Sequence, residues 1–196
     1  MSKTLFASIF MMLLITVLFN QVIFSDKSFG SADTLSPKAV GIALNDFSDQ
    51  SGEFPLWQPW IFSGMPSAEA FSHISKLYFP EHLFKLFFLP GIMIQMLHLL
   101  FAGLGCFFLL KYFNLNYLSS ILGSVAFMLT PYMTVMVVHG HGSQMMTAAY
   151  IPWILWFTVK LWEKPNLLDT GFLAILIGFQ LQRAHAQIAY YTWMLI

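Results

Sequence analysis

The turn His139-Gly140-His141-Gly142-Ser143-Gln144 is the first stretch of this sequence that could do chemistry. Its two imidazoles stand two residues apart, and the glycines let a backbone come close to a ligand. Such a pair can meet a metal, a phosphate or a carboxylate. Without further ligands at fixed spacing it favours phosphate or substrate contacts over zinc. Arg183 is the only arginine in the chain. Its planar fork suits bidentate phosphate binding, and it would serve equally as an interfacial anchor. His185 follows two residues later. Acidic candidates come earlier: Asp33, Asp46, Asp49 and Glu53. Asp33, in GSADTLSP, could coordinate a divalent cation such as magnesium or manganese, or take a proton from an acceptor hydroxyl. An aspartate in such a place can also cap a helix. His98 stands alone in an apolar run and reads as a helix-packing histidine. Cys106, the one thiol, reads as a small buried hydrophobe, because one cysteine makes neither a disulfide nor a metal cluster.

The elements that must position these groups are apolar. The 196 residues are 58% hydrophobic and 9% charged, far below the roughly 25% charge of an ordinary soluble domain. Seventeen per cent aromatics and twelve methionines exceed what a core of this size could bury, so the surface itself must meet lipid. Net charge is zero, which removes nucleic acid as a partner. Phosphate-loop, nucleophile-elbow, HExxH and CxxC patterns are absent from the sequence.

A membrane core needs about 20 apolar residues of helix. Residues 5–24 form the first such run and read as an uncleaved helix rather than a signal peptide. Residues 86–110, 117–138, 145–159 and 167–182 follow, with Pro131 expected to kink the third run. The fold class expected is an all-α polytopic membrane protein of about five transmembrane helices. Residues 188–196 begin a sixth apolar run that stops without a polar flank, so a longer parent chain is expected. Three units result: residues 1–24, a loop domain over 25–85, and the helices of 86–196. The loop domain carries seven acidic and four basic residues. Within it, PKAVGIALNDF has the spacing of a short amphipathic helix, and FPLWQPWIFSGMP, with Trp57 and Trp60, suits a membrane interface.

Lys3, Lys111, Lys160 and Lys164 fall on one side of this arrangement, and Arg183 is the one basic residue in a short connection on the other. Lysine-rich short connections mark the cytoplasm, so the N-terminus is inside and the loop domain outside. Asp33, Asp46, Asp49, Glu53, His139, His141, Arg183 and His185 then share the outer surface, either as one site or as separate solvated loop residues.

Five separated segments, GSADTLSP, GEFPLWQPWIFSGMP, LYFPEHLF, HGHGSQMMTAAYIPWILW and QRAHAQIAYYTW, resemble in order and spacing the N-terminal part of the bacterial YfhO membrane proteins. That family is similar in architecture to the GT-C glycosyltransferases. The resemblance implies a multi-pass protein of the bacterial cytoplasmic membrane that takes a sugar from a polyprenyl-phosphate carrier at the outer face. The acceptor would be an envelope polymer or a glycolipid. In those enzymes an acidic residue soon after the first helix binds metal or activates the acceptor, and Asp33 occupies that place. The resemblance also implies His139, His141, Arg183 and His185 on the lipid-phosphate or acceptor side, and Trp57 and Trp60 as platforms for sugar rings. A paired-acid DxD or ExD is missing; Asp46 and Asp49, three apart, come nearest. A transporter or flippase of lipid-linked sugar, or a non-catalytic envelope assembly protein, are the alternatives.

Overall fold

A computed structural model describes residues 3–25, 27–60, 62–67, 78–183 and 185–196. It is mostly helical. Helix α1 (Lys3–Leu18) and the short α2 (Asn20–Ile23) share the first apolar run and separate at Phe19. Ala7, Met11 and Ile15 recur every fourth position of α1, so they form one buried stripe, while Leu5, Met12, Leu13, Val17 and Leu18 face outward. A helix apolar on both faces has its outer face suited to lipid rather than water.

Helix α3 (Ala32–Ser51) is the amphipathic helix of the loop region, and at 20 residues it is longer than its sequence pattern suggests. Ser31 stands at its N-cap and Gly52 closes it in the left-handed conformation at φ 75°. After it, strands β1 (Trp57–Gln58) and β2 (Met65–Pro66) make an antiparallel hairpin. The left-handed turn at Phe62, Ser63 and Gly64 (φ 52°, 61° and 113°) reverses the chain. A Cβ on Gly64 would stand 2.6 Å from the Trp57 ring, so this position needs glycine for space as well as for φ.

Helix α4 (Phe79–Leu86) leads into α5 (Gly91–Tyr112), the axis of the helical body, which packs against α1, α6 (Tyr117–Met128), α8 (Gly142–Ala148) and α9 (Ile151–Glu163). Asn116 caps α6 by accepting from the Ser119 amide at 2.9 Å. The break at Leu129 and Thr130 comes just before Pro131, which opens α7 (Pro131–Val138) with Thr130 as its cap. A second break separates α8 from α9 ahead of Pro152. Helix α10 (Leu167–Gln182) coincides with the fifth apolar run of the sequence. After Arg183 the chain changes direction into α11 (Ala186–Met194), and the Gln180 side chain donates to the Thr192 hydroxyl at 2.8 Å. A continuous helix would place those two residues about 18 Å apart, so the bend brings α11 back onto the body.

Among the described residues two helices are long and apolar enough to cross a membrane: Gly91–Tyr112 and the broken Tyr117–Val138. Lys3–Leu18 and Leu167–Gln182 are apolar and shorter. Breaks at Phe19 and before Pro152 therefore divide runs that hydropathy alone counts as single spans.

Close approach along α5 depends on Gly105. A Cβ there would lie 2.4 Å from the Trp153 ring, which stacks on Phe101 at 4.9 Å and donates its indole N–H to the Phe101 carbonyl at 2.7 Å. The ring is pinned on two sides, so Gly105→Ala should cost about 1–3 kcal/mol of stability. Gly171→Ala, with open space around the new methyl group, should be neutral or stabilising by roughly 0.5–1 kcal/mol. Unfolding midpoints of the two purified variants in one detergent would check this contrast.

Candidate functional site

Asp33 lies in the first turn of α3, and His141 is the N-cap residue of α8. They are 108 residues apart in the chain, and the imidazole Nε2 sits 3.1 Å from the carboxylate Oδ2. Both side chains are open to solvent, at 46% for His141 and 61% for Asp33. The first-turn position of Asp33 also places its negative charge against the positive end of the helix dipole. A carboxylate on one imidazole nitrogen fixes the ring's orientation and stabilises the imidazolium, leaving the other nitrogen for proton transfer.

The glycines of the turn have structural work of their own. Gly140 is left-handed at φ 87°, and a Cβ on Gly142 would stand 2.6 Å from the Gln95 side chain. The close approach at Gly142 is therefore to α5. His139, exposed at the end of α7, bonds through Nδ1 to the Val135 carbonyl at 3.1 Å. Asp46, Asp49 and Glu53 are exposed on the later turns of α3 and just past its end. Asp46 stands about 20 Å along the helix from Asp33, so the three form no cluster with it. Trp57 and Trp60 are more than half exposed on and beside the hairpin.

Arg183 takes a different position, in a second polar cluster. It is buried at the C-cap of α10, with its guanidinium 4.7 Å from the Tyr78 ring centre and Nη1 3.7 Å from the Glu81 carboxylate. Glu81 also pairs with Lys85 at 3.2 Å. Burial pushes the guanidinium below its ordinary value, with the charge of Glu81 among the influences opposing it. Its Nε has no hydrogen-bond partner among the described residues. The bidentate fork read from the sequence is thus engaged with Glu81 and an aromatic face.

The Tyr78 hydroxyl meets His98 Nε2 at 2.8 Å and also the Tyr150 hydroxyl. Burial raises the Tyr78 hydroxyl above its usual range, so it stays protonated. His98 Nδ1 donates to the Ile94 carbonyl at 2.7 Å, in keeping with a satisfied packing histidine. Tyr78, Glu81 and Tyr150 are absent from the list of site candidates that sequence reasoning yields. Their signal is the burial of a tyrosine among apolar neighbours, which obliges its hydroxyl to find a partner. Beside this cluster α4, α5, α9 and α10 enclose an aromatic cavity of about 470 Å³.

His185, half-buried at the N-cap of α11, completes the inventory. Its Nδ1 lacks a partner among the described residues. Burial holds its imidazole below the ordinary value, and the nearby charge of His141 adds to the effect. Among the described residues no group of three or more His, Cys, Asp or Glu side chains could hold a metal ion. Asp33 and His141 together supply two donor groups, short of the set of about six that a hard cation takes. Comparison with family models, with curated proteins and with solved structures finds no match to this chain.

Two tests follow from the ionic contacts. Glu81→Gln strands the buried Arg183 in a low-dielectric site, whereas Arg183→Met leaves the half-buried Glu81 still paired with Lys85, so Glu81→Gln should destabilise more than Arg183→Met. The double variant should recover about 1 kcal/mol or more of the summed loss in a denaturation cycle. For His185 the folded state disfavours the protonated form, so stability is fully present above the ordinary pKa of 6.5 and falls as pH drops below it. His185→Gln should flatten the decline in unfolding midpoint between about pH 7.5 and 5.5.

Proposed function

We propose that this chain is a multi-pass membrane protein of GT-C type that transfers a sugar from a polyprenyl-phosphate donor to an envelope polymer or glycolipid. The observation that carries the proposal is the Asp33–His141 contact, a carboxylate and an imidazole joined from distant parts of the chain. Support for the membrane setting comes from two helices of spanning length and from the large apolar side chains exposed on α1 and α10. In the five-span reading, the short helices α1, α9 and α10 complete the bundle beside those two.

Polar pairs separate along the helix axes. Lys160 binds Asp169 at 2.7 Å near Tyr112 and Glu163, which bond to each other. Arg183, paired with Glu81, closes the opposite end of α10 from Asp169, and His141 opens the α8–α9 segment whose far end carries Lys160. With the lysine-bearing end in the cytoplasm, the carboxylate–imidazole pair faces outward.

In the proposed reaction Asp33 holds His141 through Nε2. The free Nδ1 takes the proton from an acceptor hydroxyl as its oxygen attacks the anomeric carbon, and the bond from that carbon to the carrier phosphate breaks. The imidazolium formed is stabilised by Asp33. Trp57 and Trp60 are available to sugar rings arriving from the aqueous side.

A carrier for lipid-linked sugar is the second reading, because three apolar runs are interrupted, at Phe19, at 129–130 and at 149–150. One experiment separates the two. Membranes holding equal amounts of wild type, Asp33→Asn, His141→Gln and the double variant are supplied with polyprenyl-phosphate sugar, and transfer to envelope acceptors is scored. Each single variant should lose about 10²–10⁴-fold in rate, and the double variant little more, because the two groups act as a unit. Transfer unaffected by both substitutions would remove the pair from the mechanism. Sugar appearing across the membrane on its lipid, without transfer in wild type, would favour the carrier.

A further inference from the structure

We propose that the aromatic cavity between α4, α5, α9 and α10 seats one uncharged lipid whose headgroup ends in a hydroxyl, a diacylglycerol or long-chain alcohol in chemical class. This goes beyond the transferase reading. It requires the membrane setting and no step of the transfer reaction.

Hydrogen-bond directions define the polar end of the cavity. The Ile94 carbonyl can only accept, so His98 Nδ1 carries the proton it donates there. The imidazole is 4% exposed and meets no carboxylate among the described residues, so with Nδ1 donating its Nε2 is the acceptor. Tyr78 therefore donates to His98, and Tyr150 donates to the Tyr78 oxygen. The Trp153 indole N–H is given to the Phe101 carbonyl. Among the described residues every side-chain N–H and O–H of the cavity wall is then committed to the protein, and what these side chains leave for a ligand is oxygen lone pairs on Tyr150 and Tyr78.

Among the described residues no lysine or arginine lines the cavity. Arg183 lies over the Tyr78 ring, paired with Glu81, and is not part of the lining. A phosphate or carboxylate brought here would lose its water and gain no donor, a large penalty. A hydroxyl would donate to Tyr150 at little cost. The wall thus selects a neutral donor head.

The remaining lining points to a hydrocarbon chain. Phe172 and Ile175, 47% and 52% exposed, form a lateral mouth on α10. The same two residues line a second apolar groove that continues to Leu167 and Leu168. From Phe179 to Leu167 this track follows about 18 Å of helix, a little more than half of a bilayer core of about 30 Å. Its volume, about 470 Å³, falls within the usual range for small-molecule sites.

The test uses the full chain in lipid nanodiscs without any sugar donor, so its result is independent of transfer activity. Photoactivatable diacylglycerol and phosphatidate with identical acyl chains are compared, and labelled peptides are mapped. Diacylglycerol should label α5 and α10 at the cavity, with phosphatidate weaker by about tenfold or more. Leu176→Trp, which fills the cavity, should remove most of that labelling, whereas Leu181→Trp, exposed on the same helix, should not. Tyr150→Phe should reduce the preference for diacylglycerol over its O-methyl ether by about fivefold. Labelling by phosphatidate equal to or above that of diacylglycerol on the unaltered chain would overturn the proposal, as would absence of diacylglycerol labelling at α5 and α10. The lipid pair on the unaltered chain decides the question even where a variant fails to fold.

Discussion

An imidazole in the middle of an apolar helix has to satisfy two nitrogens without help from water, and His98 of α5 does so in a way that organises much of the molecule. One nitrogen is answered locally, by the carbonyl one turn back. The other needs a donor from elsewhere, and Tyr78, just ahead of α4, supplies it. The Tyr78 oxygen then receives Tyr150 from the junction of α8 and α9. Three segments distant in sequence are tied together because an unanswered polar group in that setting would cost on the order of 1–3 kcal/mol. Once Tyr78 is placed, its ring supports Arg183, and Glu81 lies one helical turn away to balance the charge.

Steric fit works alongside this polar chain. Gly105 lets α5 and α9 approach until the Trp153 ring occupies the space a Cβ would take, and Gly142 does the same for the Gln95 side chain. Such small residues at helix contacts matter most where the surrounding medium is itself apolar, because hydrophobic burial then contributes little to holding helices together. The stacked rings of Phe101, Trp153, Phe108 and Trp156 add directional contacts to the same seam.

Burial divides the two polar clusters by role. Arg183 is buried, so its charge is met by the half-buried Glu81 and by an aromatic face. Asp33 and His141 are open, so the same kinds of group remain available to a ligand. An exposed pair adds little stability in high dielectric. In the proposed reaction its value lies in fixing an imidazole where an incoming hydroxyl can reach it.

Local features were legible in the residues alone. The apolar run 167–182 is α10, the run 86–110 overlaps α5, and Pro131 marks a helix break, because hydropathy and the missing proline N–H act within a turn or two of chain. Hydropathy placed Asp33 soon after the first helix and put the histidine turn after the third run. It could not choose among Asp33, Asp46, Asp49 and Glu53 as the partner of His141, nor bring Tyr78 to His98 and Tyr150. It also left Arg183 as a free phosphate ligand in prospect. Those outcomes depend on helix rotation, on where the runs break and on which side chains are closed off from water. Each is set by packing between segments up to a hundred residues apart, and no periodicity along the chain carries that information.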